Sequence, residues 1–521
     1  MRMKKNSEGT PTDARKSKQY SVRITANCLL ATLMMLYSIV VTISTFLIRR
    51  FFGGLKVVAI VFTLKYSQGF SKEILWIIGL AAVLAALLCI LYFVILRRLI
   101  RSSQERRENP SLRKRPHLAA IFTWILAISA TVYFVKGIGV DEYLRFHSEN
   151  ATLYEDYYVS PDTVKLTFPA QKRNLIYISL ESIESTYSSY ENGGDNETDF
   201  LPELSALANE NINFSNTEKL GGQSVFFPHI TYTMGSVVAQ TAGIALETPI
   251  FESIADKKKR GFLPGVTRLE DILAAQGYRQ LIIQGSDADF AGYSTYAGRC
   301  ENSSIYDYNA AKKAGDISAN YYENWGIEDK TLLALSKKKI LELAAQPEPF
   351  CVTLFTMDTH GFEGGYHCEL CDASISDSYE AAVRCTSLQV ADLIDWIKQQ
   401  DFYENTVIIL NGDHLSAVSP NKHSIVKKDD GYVRTDYNCI INAAKEPIQE
   451  KNRVFCTLDW FPTTLSALGV EIEGGRLGLG TDLFSEMPTL CEDIGAEAFA
   501  ELIQRPSEYY DTHFFKDKRE N

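Results

Sequence analysis

Glu181 closes the apolar run Asn174-Leu-Ile-Tyr-Ile-Ser-Leu-Glu181, and Asp413-His414 close Thr406-Val-Ile-Ile-Leu-Asn-Gly-Asp-His414. His360 follows Thr353-Leu-Phe-Thr-Met-Asp-Thr. Two carboxylates and an imidazole at the ends of neighbouring strands suit a divalent cation such as Mn2+, Mg2+ or Zn2+. Each alone has an ordinary use, since a carboxylate after a buried strand often caps a helix or a turn. Gly412 sharpens the last pair, because a glycine lets the backbone turn where ligands would leave the sheet.

A nucleophile is sought in Gly221-Gly-Gln-Ser-Val-Phe-Phe-Pro-His-Ile-Thr-Tyr-Thr-Met-Gly-Ser-Val-Val-Ala-Gln-Thr-Ala-Gly, a polar stretch that becomes a small-residue helix from about Met234. A hydroxyl at that helix start meets free backbone N–H groups and the positive end of the dipole, which favour a phosphoryl group. Thr233 is best placed, with Thr231 and Ser236 as rivals; the plainer reading is a threonine that caps the helix. A cation on the same oxygen would make it a usable nucleophile. Cys368-Glu-Leu-Cys371, with His367 adjacent and Cys385 nearby, leaves three readings open: a local disulfide, free thiols or a zinc knuckle.

These residues need a scaffold that gathers strand ends. β-rich apolar runs at 175–180, 280–284, 350–355, 406–410 and 438–441 alternate with helical patterns at 266–276, 337–346 and 376–400. Strand and helix in alternation predict an α/β domain with a mainly parallel sheet flanked by helices, in which ligands collect at the carboxyl ends of the strands.

Ahead of this domain lie three apolar stretches without Asp, Glu, Lys or Arg, at 24–48, 74–96 and 118–135. A bilayer core of about 30 Å takes roughly 20 such residues, so these are read as three spans. Basic residues crowd the leader before the first span and the connection before the third, which predicts that both stay in the cytoplasm and that the large domain lies outside. The expected organisation is a basic leader at 1–23, a transmembrane region at 24–138, a connector at 139–172, the α/β domain at 173–490 and a tail at 491–521. The first 117 residues carry 20 Lys and Arg against 5 Asp and Glu, whereas the whole 521-residue chain has a net charge of −11. The larger part is therefore strongly acidic, which argues against nucleic acid as a partner and makes a cation necessary for handling a phosphorylated substrate.

Seven motifs in order carry a family resemblance: Asn174-Leu-Ile-Tyr-Ile-Ser-Leu-Glu-Ser, Tyr232-Thr-Met-Gly-Ser-Val-Val-Ala-Gln-Thr-Ala-Gly-Ile, Gln284-Gly-Ser-Asp-Ala-Asp-Phe-Ala-Gly, Trp325-Gly-Ile-Glu-Asp-Lys-Thr-Leu-Leu, Met357-Asp-Thr-His-Gly, Asn411-Gly-Asp-His and Gly475-Arg-Leu-Gly-Leu-Gly. Over about residues 150–484 the chain resembles membrane-bound phosphoglycerol transferases of the lipoteichoic acid synthase type, within the alkaline phosphatase and sulfatase superfamily. The nucleophile segment and the Gly-Arg-Leu-Gly-Leu-Gly ending look closest to the branch that modifies periplasmic glucans.

The resemblance implies a metal site of Glu181, Thr233, Asp413 and His414 holding one divalent cation, Mn2+ foremost, with Thr233 as nucleophile and His360 near the transferred phosphate. It places Asp287, Asp289, Phe290 and Trp325 in segments near a substrate pocket. It further implies a glycerophosphoryl group taken from phosphatidylglycerol, through a covalent threonine intermediate, to a glycan or polyglycerophosphate acceptor at the outer face of a bacterial cell membrane. The chain departs from the synthase pattern in carrying Tyr232 where those enzymes have lysine before the threonine, and in three predicted spans rather than five. No Cys/Ser-x-Pro-x-Arg sequence surrounds Thr233, so sulfate-ester hydrolysis is not expected. The competing readings are a phosphoethanolamine transferase and, from another class, a silent glycolipid-binding membrane protein.

Overall fold

The computed structural model describes residues 30–49, 57, 72–105, 115–247, 262–298, 300, 302–360, 365–418, 423, 425, 427 and 431–515. The basic leader, residues 24–29 of the first predicted span and residues 106–114 of the basic connection lie outside them. The chain divides into two compact units, one holding the N-terminal apolar helices up to Asp141 and the other running from Glu142 onward.

In the first unit, helices α1 (Leu30–Arg49), α2 (Lys72–Glu105) and α3 (Arg115–Gly137) cover the three apolar stretches. Among the described residues, two helices are long and apolar enough to cross a membrane, or up to three if the bent pair Ile121–Gly137 and Val140–Phe146 is one span. Hydroxyl pairs join them: Tyr37 Oη lies 2.8 Å from Thr131 Oγ1, and Tyr92 Oη bonds Thr123 Oγ1. In lipid, such bonds help to knit helices that no hydrophobic force drives together.

The second unit is built on six strands: β1 (Asn174–Leu180), β2 (Arg279–Gln284), β3 (Ser303–Tyr306), β4 (Phe350–Phe355), β5 (Thr406–Gly412) and β6 (Asn438–Ile441). Their order is β3-β2-β4-β1-β5-β6, all neighbours parallel except the last pair. Every residue of β1, β5 and β6 is buried, which is why these segments read as continuous apolar runs rather than alternating ones. Successive β1 side chains still go to opposite faces. Ile176, Ile178 and Leu180 join a core with Val383, Val390, Leu393 and Ile397, whereas Leu175 and Tyr177 join one with Trp460, Phe461 and Leu465.

Helices α4 (Pro202–Glu210), α5 (Thr233–Ala242), α6 (Leu269–Ala275), α7 (Asp329–Ala344), α8 (Ser378–Lys398) and α9 (Trp460–Ala467) cover the sheet. Behind α5, Val237 and Val238 pack in a third cluster with Tyr154, Phe227, Phe499, Ile503, Tyr510 and Phe514, so residues near the end of the chain support the helix that carries Thr233.

Candidate active site

Three adjacent parallel strands, β4, β1 and β5, end at the same edge, and their exits carry His360, Glu181 and Asp413-His414. Burial is graded across the group: Glu181 is 6% exposed, Asp413 1% and His414 8%. One oxygen or nitrogen from each of these three lies within 4.8 Å of the others. His414 Nε2 stands 3.7 Å from Glu181 Oε1 and 3.5 Å from Asp413 Oδ2. Thr233, the first residue of α5 and only half-buried, donates from Oγ1 to Glu181 Oε2 at 3.3 Å. Its hydroxyl does not cap its helix, whose N-cap is Tyr232 without a side-chain capping bond.

The rival hydroxyls are otherwise engaged. Thr231 Oγ1 donates to the Pro228 carbonyl at 3.0 Å, while Ser236 Oγ is fully buried and donates to the carbonyls of Asp413 and Ile230. Ser236 thereby ties α5 to the strand exit that carries Asp413.

The backbone around these groups is built for close approach. Ser182 takes a left-handed φ of +53°, a conformation costing about 1–3 kcal/mol for a residue with a side chain. In return its N–H donates to Asp413 Oδ1 at 2.8 Å and its hydroxyl to Glu181 Oε1 at 2.7 Å. Gly412 does not turn the chain as expected from its position. It is the last residue of β5, and a Cβ there would lie 2.0 Å from the Ile183 carbonyl oxygen, so glycine is required for contact rather than for bending.

The electrostatics are those of crowded anions. Burial and the negative charge of Glu181 push the Asp413 carboxyl up to about 7, although His414, the Ser182 amide and the Thr233 hydroxyl work against the rise. Burial opposes a charge on His414, but Asp413 and Glu181 outweigh it and lift the imidazole to about 9. Burial also works against a charged Glu181, yet His360, His414 and the Ser182 and Thr233 hydroxyls together hold it below the usual carboxylate range. Buried anions that favour a cation this strongly, in a mixed oxygen and nitrogen donor set, fit a divalent metal.

His360 flanks this group. Its Nδ1 is buried with no hydrogen-bond partner among the described residues, and its ring meets that of Trp325 edge-on at 5.0 Å. Trp325 in turn lies 5.8 Å from Phe290, so Phe290, Trp325 and His360 form an aromatic row, with Trp325 45% exposed and in a left-handed conformation, φ +69°. Asp287 and Asp289 serve their own loop: Asp287 Oδ1 accepts from the Asp289 N–H at 2.9 Å, and Asp289 Oδ1 accepts from Ser294 Oγ.

Sequence reasoning missed several supports. Asp329, at the start of α7, is fully buried and accepts the N–H groups of Met357 and Asp358, shaping the exit toward His360. Glu184 accepts from Arg434 and from the Ser416 N–H at 2.8 Å, holding the segment just beyond His414. Thr359 Oγ1 bonds the Glu181 carbonyl. Asp329 and Thr359 each fall inside a quoted motif, which is the signal sequence offered; their partners, and those of Glu184, lie far away in the chain.

A family model described as Sulfatase matches residues 173–470. The chain belongs to the sulfatase family. Its second unit is the sulfatase-like α/β domain with a mainly parallel sheet, and the apolar helices ahead of it support a membrane protein. The chain is also 31% identical over 447 residues to phosphoglycerol transferase I of Escherichia coli O81 (strain ED1a), covering 82% of this chain and 53% of that protein. It thus spans about half the length of the curated relatives it matches. Among solved structures, a protein of the alkaline phosphatase superfamily from Vibrio parahaemolyticus is similar with a TM-score of 0.49 and 18% identity, over 64% of this chain and 76% of that one. The lipoteichoic acid synthase LtaP from Listeria monocytogenes gives 0.47 and 17%, over 64% and 81%.

Proposed function

We propose that this sulfatase-family protein transfers a glycerophosphoryl group from phosphatidylglycerol to a hydroxyl of a glycan or glycerophosphate polymer. The observation that carries the reading is the Thr233 hydroxyl, half-exposed at a helix start and donating to Glu181 beside Asp413 and His414. The similarity to proteins named phosphoglycerol transferase I supports the choice of group.

In this reading Glu181, Thr233, Asp413 and His414 hold one divalent cation, Mn2+ foremost. Bound there, the cation lowers the pKa of the threonine hydroxyl and offsets charge on the phosphoryl oxygens. Glu181 orients the hydroxyl through the bond from Oγ1, and the N–H groups opening α5 face the incoming phosphate. Thr233 Oγ1 forms a bond to phosphorus as the bond from phosphorus to the diacylglycerol oxygen breaks, and its proton passes to Glu181 along the hydrogen bond it already makes. The leaving oxygen takes up a proton, for which this reading takes His360 as the donor. An acceptor hydroxyl then attacks the glycerophosphoryl-threonine and gives its proton to His360, while Thr233 Oγ1 leaves phosphorus and takes its proton back from Glu181. Phe290 and Trp325 offer apolar faces beside His360, and Asp287 and Asp289 shape the adjoining loop.

The 173–490 segment works at the outer face of the bacterial cell membrane, anchored by the 24–138 region, with 139–172 as connector. Anchoring holds the site near the donor's head group and raises its effective concentration. The test is mass spectrometry of the purified protein after incubation with phosphatidylglycerol and, in parallel, phosphatidylethanolamine. A glycerophosphate adduct on Thr233, absent in Thr233→Ala, is expected. An ethanolamine phosphate adduct, or undiminished diacylglycerol release by Thr233→Ala, removes the proposal.

A further inference from the structure

A second cluster of potential ligands stands apart from these residues. Cys368 and Cys371 lie on the loop that leads from β4 to α8, and Cys385 lies on α8 itself. One sulfur from each falls within 4.8 Å of the others, and Cys368 Sγ is 3.8 Å from Cys385 Sγ. All three are free thiols. Two sulfurs held at about 2.3 Å from one tetrahedral zinc ion stand about 3.8 Å apart, so the spacing is that of ligands around a shared centre. The Cys-x-x-Cys turn is formed, with the Cys371 N–H donating to the Cys368 carbonyl at 3.1 Å.

The surroundings suit thiolates. Gln389, one helical turn after Cys385, points its Nε2 at Cys385 Sγ at 3.2 Å and at Cys368 Sγ at 3.9 Å. N–H groups aimed at sulfur are the outer support that metal-bound thiolates ordinarily have. His367 lies outside the group of mutually close ligand atoms, and its Nε2 sits 2.6 Å from the Ser378 carbonyl. Cys368 and Cys371 are half-buried, which leaves a solvent path to the cluster, while Cys385 is buried.

We propose that Cys368, Cys371 and Cys385 bind a thiophilic divalent cation, zinc foremost, with water in the fourth position. Each thiol gives up its proton on binding. The ion fastens the loop after His360 to α8. That loop is otherwise held at its near end by the Tyr366 N–H on the Asp358 carbonyl at 2.7 Å and by Tyr366 Oη on Glu323 at 2.9 Å. The site is independent of the threonine chemistry.

Cobalt distinguishes this site from the oxygen and nitrogen site of Glu181, because only thiolate ligands give an intense sulfur-to-cobalt charge-transfer band. The full chain in detergent, reduced and stripped of metal, is titrated with Co2+ and then with Zn2+. One equivalent of Co2+ is expected to raise the band, Zn2+ to erase it, Asp413→Asn to retain it and Cys371→Ser to lose it. In the unmutated protein, zinc is expected to shield all three cysteines from iodoacetamide and chelation to expose them. No charge-transfer band in the reduced protein overturns the proposal, as does equal alkylation with and without zinc. Peptide mapping of freshly isolated, unreduced protein that finds Cys385 disulfide-bonded to Cys368 or Cys371 also overturns it. None of these readouts depends on turnover, so they stand or fall separately from the phosphoglycerol transfer.

Discussion

Replacing Gly235 with alanine tests whether the start of α5 sets the position of Thr233, the proposed nucleophile. In an open helix this change is favourable by about 1 kcal/mol, because alanine has the higher helix propensity. Here a Cβ would lie 1.9 Å from the His229 carbonyl oxygen and 3.1 Å from the Tyr232 ring, in a region where approaches under 3.0 Å are essentially never seen. The first turn of α5 must therefore move by more than about 1 Å, and Thr233 moves with it. A misplacement of about 1 Å between reacting groups can cost on the order of 100-fold in rate, or about 2.7 kcal/mol of barrier. Overpacking should lower stability by about 1–3 kcal/mol, the reverse of the open-helix expectation. Diacylglycerol release from labelled phosphatidylglycerol in mixed micelles reads the first effect, and thermal unfolding in the same detergent reads the second. A Gly235→Ala protein with a raised Tm and a rate within twofold of the parent would refute the reasoning, since the helix start would then be neither crowded nor tightly placed.

Asp413→Asn keeps the shape of the side chain but removes a charge from the candidate ligand set. Losing an outer partner of a ligand typically costs about 10–100-fold in metal affinity, so losing a ligand's charge is expected to cost at least about 100-fold, read by Mn2+ titration. Within the candidate site of the metal-free protein, two raised groups respond to pH, and the buried carboxyls of Glu247 and Asp459, also raised, act in the same direction. Asp413 gives stability that is full below about 4 and is lost as pH rises through about 7, and His414 gives stability that is full below about 6.5 and is lost as pH rises through about 9. The Tm of chelator-treated protein should accordingly fall between pH 6 and pH 9.5, with saturating Mn2+ flattening the fall; a Tm that climbs over this interval contradicts the assignment. Arg434→Met leaves Glu184 buried with its charge uncompensated, a change that typically costs about 3–5 kcal/mol, and urea unfolding should show it.

The central strands were legible because burial on both faces forces long apolar runs, and β4 and β6 fall at the residues expected from them. β3 was not, since Ser303–Tyr306 is short and mostly half-exposed at the sheet edge. The antiparallel course of β6 also left no mark, because a four-residue buried strand reads the same in either direction. Helix α7 begins at Asp329 rather than near 337, its early turns being hidden by a polar Asp-Lys-Thr start. At the candidate site, Glu181, Thr233, Asp413 and His414 could be picked out because strand exits and a helix start are local features of sequence. What brings them together could not: the Ser182 turn, the Ser236 bond to the Asp413 carbonyl and the Arg434–Glu184 pair are all long-range. Asp287 and Asp289 were marked out by a family motif alone, and their side chains bond within the loop that carries Phe290.

The candidate ligands are widely spaced along the chain, with 231 positions between Ser182 and the Asp413 side chain it grips. They meet only when β1 and β5 have paired, a late and non-local event in the folding of such a sheet. A chain synthesised only as far as β4 therefore holds Glu181 and Thr233 without Asp413 or His414, and has no assembled centre. The centre is complete only once β5 has been made and paired with β1, so the order of synthesis sets when the candidate ligands can first act together.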